Sequence, residues 1–225
     1  PTMLQDIAVK IKNQWWNDTE KSTYADKNKY AKDFRVATFK PYSDANNWRD
    51  KMNTYAPSFM GNPTGIYARA NEMLYVFVEG EIAEGAFLGI QEIVNTETSG
   101  VIDTLRVGLN IIPVSFDMST IFVRYDVNTH NSGKVLADYP NIKIHIENGT
   151  VNGYWDKSRH NDEDWVDITR NHAKHKYMFV KGDHEAFFME REYMIADDCC
   201  PDAISDAIGW WDSLVVWEQG IMGIE

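Results

Sequence analysis

The chain has 225 residues, 44% of them hydrophobic, enough to bury a sizeable core in one large domain or two small ones without staples. Lys and Arg total 22 against 34 Asp and Glu, and the formal net charge of −12 argues against a phosphate-backbone partner. No run of about 18 apolar residues offers a membrane span, no signal peptide is present, and a start at Pro1 without Met is what a mature or excised piece would show.

Residues 2–16 (TMLQDIAVKIKNQWW) place Leu4, Ile7, Ile11 and Trp15 at helical spacing. Residues 17–33 are polar and read as a solvated connection or exposed helical turns, and 44–55 as a short helix opened by Asp44. A turn over Gly61-Asn62-Pro63-Thr64-Gly65 then sets the register of a first strand, and the apolar period changes to two. Strands are predicted at 65–69, 72–79, 86–94, 101–107, 119–126, 141–147 and 150–155, with Asn148-Gly149 as a hairpin turn. This spacing predicts a mainly β fold with some α, an antiparallel, jelly-roll-like β-sandwich flanked by an N-terminal helix and a long C-terminal amphipathic helix. The divisions expected are 1–33, 34–156 and 157–225.

Beyond Asp156, residues 161–175 read as a helix with Asp162, Glu163 and Asp164 in its first turn and His172 and His175 in its last, matching the helix dipole. Residues 176–182 and 185–192 read as a strand pair across Asp183-His184. A final helix is predicted over 201–222, opened by Pro201, with Ile204, Ile208, Trp211, Val215 and Met222 close to one face.

The chemistry-bearing groups are sparse. His184-Glu185 begins like H-E-x-x-H, but the fifth position is Phe188 and the stretch reads as a strand. His172 and His175 could share a metal at i, i+3, yet no third ligand stands out, and exposed histidines at a helix end are the better reading. The acidic cluster 162–164 reads as a solvated helix start, and no phosphate loop or nucleophile elbow occurs. Cys199 and Cys200 are neighbours, which suits plain thiols rather than a disulfide framework or metal knuckle. No cofactor is therefore expected of these residues. Elemental analysis of the purified chain should find no stoichiometric zinc, and one tightly held zinc per chain would overturn that reading. The eight Trp, eleven Tyr and ten Phe suit either an aromatic β core or a sugar-stacking surface, for which Tyr154, Trp155 and Trp165 are the candidates.

Phe34-Arg35, Lys40-Pro41-Tyr42, Tyr55, the run Asn62-Pro63-Thr64-Gly65-Ile66-Tyr67 and the stretch Glu72 to Glu79 occur in the order and spacing of the enhancin-like, mucin-targeting zinc metallopeptidases, which this chain resembles over most of residues 34–225. GLNIIP (108–113) is similar to a turn of that family, STIFVRY to the strand after it, IKIHIENGTVNGYWD (142–156) to its "I.IHI.GG…gYFD" segment, and WWDSLVVWEQGIMGI (210–224) to a helix ending in Met-Gly. The family's catalytic H-E-x-x-H and its downstream Glu lie past that helix. None of His130, His145, His160, His172, His175 and His184 starts such a motif. The resemblance therefore implies the leading, non-catalytic part of a secreted or cell-surface enzyme whose zinc is held elsewhere, acting on a glycoprotein substrate.

On that reading Trp210, Trp217 and Ile221 spread apolar surface beyond the stripe that anchors the final helix, and would meet a following catalytic domain. Two alternatives stay open: a stand-alone module binding glycan or glycoprotein, and a structural or adhesive surface domain.

Overall fold

A computed structural model describes residues 5, 8, 9, 30–43, 61–95, 99–129, 133–195 and 203–223. The predicted helix at 44–55, His130 and both cysteines lie outside the described residues. Of the predicted helix 2–16, the described positions Gln5, Ala8 and Val9 have helical backbone. The chain divides into two compact units, 1–151 and 152–225.

The first unit is the sandwich that the period-two pattern predicts, antiparallel except where Tyr42-Ser43 runs parallel to Asp126-Val127. A short helix α1 (Ala31–Arg35) leads into strands β1 (Val36–Phe39) and β2 (Tyr42–Ser43). There follow β3 (Asn62–Ala68), β4 (Met73–Glu79), β5 (Phe87–Ile93), β6 (Ser99–Thr104), β7 (Gly108–Pro113), β8 (Ser119–Val127), β9 (Ile142–Ile146) and β10 (Thr150–Val151). One sheet has the order β1-β9-β4-β7, the other β10-β3-β8-β5-β6 with β2 beside β8. From β3 to β10 the chain passes repeatedly between the sheets, and β5–β6 is the sequence-adjacent pair that bonds directly. Ile66, Leu74, Val76, Ile121, Phe122 and Ile142 have no exposed surface and form the middle of the core.

Four local readings are corrected by the structure. Residues 62–68 are one strand rather than a turn and a strand, because Thr64-Gly65 forms a bulge between the registers Pro63↔Phe122 and Ile66↔Ile121. The Thr64 hydroxyl donates to the Ile121 carbonyl at 2.6 Å and accepts the Ile66 N–H, while Gly65 takes φ 74°. Pro63 can occupy this strand because the ladder is already interrupted there. Gly61 passes so close to β8 that a Cβ would stand 2.6 Å from the Val123 carbonyl oxygen.

Asn148-Gly149 is not a hairpin turn. The strand before it pairs with β1 and β4, and the strand after it with β3, so these residues carry the chain from one sheet to the other. Arg35, 3% exposed, holds this crossing by donating to the carbonyls of Ile146, Asn148 and Gly149. Asn148 completes the joint: its Oδ1 accepts the Tyr75 N–H, and its Nδ2 donates to the Met73 carbonyl and the Glu72 carboxylate. Third, GLNIIP is strand β7, paired with β4 from Met73↔Pro113 to Val78↔Gly108. Fourth, Tyr30, at the end of the stretch read as solvated, is 6% exposed and packs against Phe34.

The second unit begins at Asn152. Strands β11 (Trp155–Asp156), β12 (Tyr177–Lys181) and β13 (Ala186–Glu190) form a sheet in that order. The β12–β13 pair across Asp183-His184 is as predicted, whereas β11 runs parallel to β12 in this third sheet rather than continuing β10. Helix α2 (Asp162–Asp167) starts at Asn161, whose side chain accepts the Asp164 N–H while the Asp164 carboxylate accepts the Asn161 N–H. It widens into a π turn, Ile168–His172. Helix α3 (Arg191–Met194) follows β13. Helix α4 (Ile204–Met222) closes the unit and ends where Gly223 takes φ 66°.

Candidate functional site

The feature of the second unit that local packing leaves unexplained is α4. At about 100° per residue, one face of this helix carries Ile204, Ile208 and Asp212. Ile204 and Ile208 are buried at 6% and 3% exposure, and Asp212 joins them at 5%. A carboxylate on a buried face requires partners. Its Oδ2 accepts Lys157 Nζ at 2.8 Å, and its Oδ1 accepts the His184 N–H at 2.7 Å. Burial would raise the Asp212 carboxyl, but the Lys157 bond and the His184 and Asp183 amides outweigh it and hold it at about 2. Lys157 also meets Asp183 at 2.8 Å, and these two carboxylate bonds raise its own pKa. Gly182 makes the approach possible, since a Cβ there would lie 2.5 Å from Asp212 Oδ1. At the helix start, the Ser205 N–H donates to Asp162 at 2.8 Å.

The opposite face is apolar and uncovered. Trp210 is 74% exposed, Leu214 39%, Trp217 64% and Ile221 86%. The three residues named from sequence, Trp210, Trp217 and Ile221, thus lie on one exposed stripe, and Leu214 completes it. Trp211, expected to anchor the helix, is 48% exposed and meets Phe187 edge-on at 5.5 Å. Beneath α4 lies a cavity of about 140 Å³, lined by side chains that include Val180, Phe187, Met194, Ile208 and Trp211. Because Trp210 and Trp217 rest so little on the rest of the chain, the double change Trp210→Ser/Trp217→Ser should leave stability within about 0.5 kcal/mol. Chemical denaturation checks this, and a loss of several kcal/mol would mean that the stripe is part of the unit's own core.

The aromatic residues proposed for sugar stacking sit differently. Trp155 and Trp165 have no exposed surface. The Trp155 indole N–H donates to the Asn161 carbonyl, and the Trp165 carbonyl accepts the Thr169 hydroxyl. Tyr154 is half-buried, edge-on to Phe179, with the Arg159 guanidinium 5.1 Å from its ring centre. Burial pushes its phenol up to about 12 against the opposing pull of Arg159.

The two helix-end histidines are not a pair of exposed groups. His175 is 2% exposed, its Nδ1 accepting the Tyr177 N–H, while His172 lies 3.5 Å from Asp167. Among the described residues no three His, Cys, Asp or Glu side chains are grouped to hold a metal ion. Among the described residues no helix is long and apolar enough to cross a membrane.

No family model matches the chain, and no curated protein matches its sequence. Solved structures do. A metallopeptidase in complex with Tn antigen is 32% identical over 88% of this chain, with a TM-score of 0.76. A metallopeptidase from Bacteroides thetaiotaomicron is 31% identical over 100% of it, with a TM-score of 0.78. Over nearly all of its length, then, the chain is similar to enhancin-like metallopeptidases. It spans 36% of the length of each of those two structures. The M60 catalytic domain of Clostridium perfringens ZmpC in complex with the sialyl T antigen shares the fold at 13% identity and a TM-score of 0.61, over 82% of this chain and 40% of that one.

Sequence reasoning placed the exposed aromatics of α4 but missed Asp212 and Lys157. A signal was present: the i, i+4, i+8 series from Ile204 reads Ile-Ile-Asp, so an acid falls on the face that two isoleucines bury.

Proposed function

We propose that these residues form a leading, non-catalytic β-sandwich part of a secreted zinc metallopeptidase that cuts mucin-type glycoprotein. The metal ligands would come from polypeptide outside residues 1–225. The observation that carries this reading is a match of more than 30% identity spanning all of this chain and 36% of a metallopeptidase. The Tn antigen bound to a neighbour that is 32% identical supports an O-glycosylated substrate. In this role the sandwich braces the catalytic region, and α4, with one face anchored and the other uncovered, is the element that joins them. A stand-alone glycan module built on Tyr154, Trp155 and Trp165 is less well supported, because two of those rings have no exposed surface.

The test is cleavage of a Tn-bearing glycopeptide by the polypeptide carried to the end of its reading frame, compared with residues 1–225 alone. The longer protein should cleave it, lose that activity to a zinc chelator, and regain it with zinc. Residues 1–225 should not cleave. Cleavage by the shorter chain, or none by the longer, refutes the assignment.

A further inference from the structure

The exposed stripe of α4 has a spacing that selects its occupant. Trp210, Leu214, Trp217 and Ile221 follow one another at intervals of four, three and four residues. That is the seam with which one helix packs lengthwise on another, and at 1.5 Å per residue it is about 16 Å long. An extended strand would not follow it, since side chains alternating at period two do not match a 4-3-4 seam.

Charge narrows the occupant further. Helix α4 contains Asp206, Asp212 and Glu218 and no Lys, Arg or His, and its last turn has no basic residue to meet the negative end of the dipole. Asp212 is engaged on the buried face, which leaves Asp206 and Glu218, both exposed, on the two sides of the stripe. A second copy of α4 would set like charges against like, in a chain whose net charge is −12. A partner helix flanked by Lys or Arg would gain on both edges and at the C-terminal end. The matched metallopeptidases extend well beyond the part this chain covers, so the polypeptide that could supply such a helix is large.

We propose that the Trp210-Leu214-Trp217-Ile221 stripe seats a basic-flanked amphipathic helix from the remainder of the same metallopeptidase. This rests on the functional reading above. The occupant's apolar residues recur at the same 4-3-4 spacing, and its Lys or Arg side chains meet Asp206 and Glu218.

Hydroxyl-radical footprinting of the full-length protein and of residues 1–225 reads each side chain separately. The four stripe residues should be modified severalfold less in the full-length protein, while Val216, 46% exposed on another face, stays equally reactive in both. In the full-length protein carrying Asp206→Lys and Glu218→Lys, amide exchange of α4 should speed up about two- to fivefold, the scale of exposed charge pairs. Stripe residues equally reactive in both proteins overturn the proposal, even where the full-length protein cleaves glycopeptide and the functional reading stands. Protection in residues 1–225 that grows with protein concentration overturns it in favour of self-association. Protection indifferent to the charge reversals overturns the basic flank. Loss of glycopeptide cleavage with the stripe still protected counts against the functional reading and leaves the helix contact standing.

Discussion

Replacing Arg35 with leucine should cost the sandwich unit about 3 kcal/mol and lower its Tm by roughly 10 °C. The guanidinium is 3% exposed and donates to three carbonyls, Ile146 at 3.2 Å, Asn148 at 2.9 Å and Gly149 at 3.1 Å. Bonds from a charged donor are stronger than those between neutral groups. Leucine fills part of the volume but leaves these acceptors without that donor inside the protein, where unmet polar groups are expensive. The damage falls on the crossing between sheets, where Gly149 takes φ 73° and a Cβ would stand 2.7 Å from Ile66. The Glu72 carboxylate accepts the Gly149 N–H at 3.2 Å from the other side, so the crossing is held by side chains rather than by a ladder. Arg35→Lys should recover only part of the loss, because one ammonium lacks the fork that spans three carbonyls. Thermal unfolding of the three proteins decides it. An unchanged Tm for Arg35→Leu would show that the crossing is fixed by its backbone alone.

That joint also shows where reading the sequence stops. The readings at 72–79, 119–126 and 141–147 give strands close to those observed, although both faces of these strands are largely buried, as at Val76-Phe77-Val78 and Ile121-Phe122-Val123, so short apolar runs rather than alternation mark them. Asn148-Gly149 is a strong turn signal, yet it specifies local backbone conformation and not which strand pairs with which. A hairpin and a crossing between sheets therefore look alike from sequence. The strand β7 was hidden by Gly108, Asn110 and Pro113, all turn formers. In the fold, the Asn110 side chain closes the neighbouring loop, accepting the Arg106 N–H and donating to the Arg106 and Gly108 carbonyls, which frees its backbone for the sheet. The stripe on α4 was legible because helix periodicity sorts residues onto faces without reference to anything distant. Burial of Trp155 and Trp165 was not, since an aromatic ring in the core and one on a binding surface follow the same local pattern.

Asp212 sets the direction in which that stripe points, and its removal should be felt twice. Asp212→Ala strips Lys157 of one of its two carboxylates and leaves the His184 N–H without its acceptor, at a cost of about 2–3 kcal/mol to the second unit. Asp212→Asn keeps the shape but loses the charge and should cost about 1–2 kcal/mol at neutral pH, less than a dry ion pair because Lys157 stays 30% exposed. The two differ from wild type in acid. The folded carboxyl sits at about 2, below its ordinary 3.8, so its contribution is fully present above pH 4 and is lost as pH falls from there through 2. Wild-type stability should therefore decline over that interval by an amount that both variants lack. Denaturant unfolding at pH 7, 4 and 2.5, followed by tryptophan fluorescence, measures it, and parallel pH profiles for wild type and Asp212→Asn would remove Asp212 from the anchor. A loosened anchor has a consequence beyond stability. Ile204 and Ile208 hold the first turns of α4, while Asp212 fixes its middle, at the level of Trp210 and Leu214. With Asp212→Ala the first turns stay held by Ile204 and Ile208 while the middle of the helix loses its polar anchor, and the apolar stripe there loses part of the fixed bearing that a second helix would need in order to seat along it.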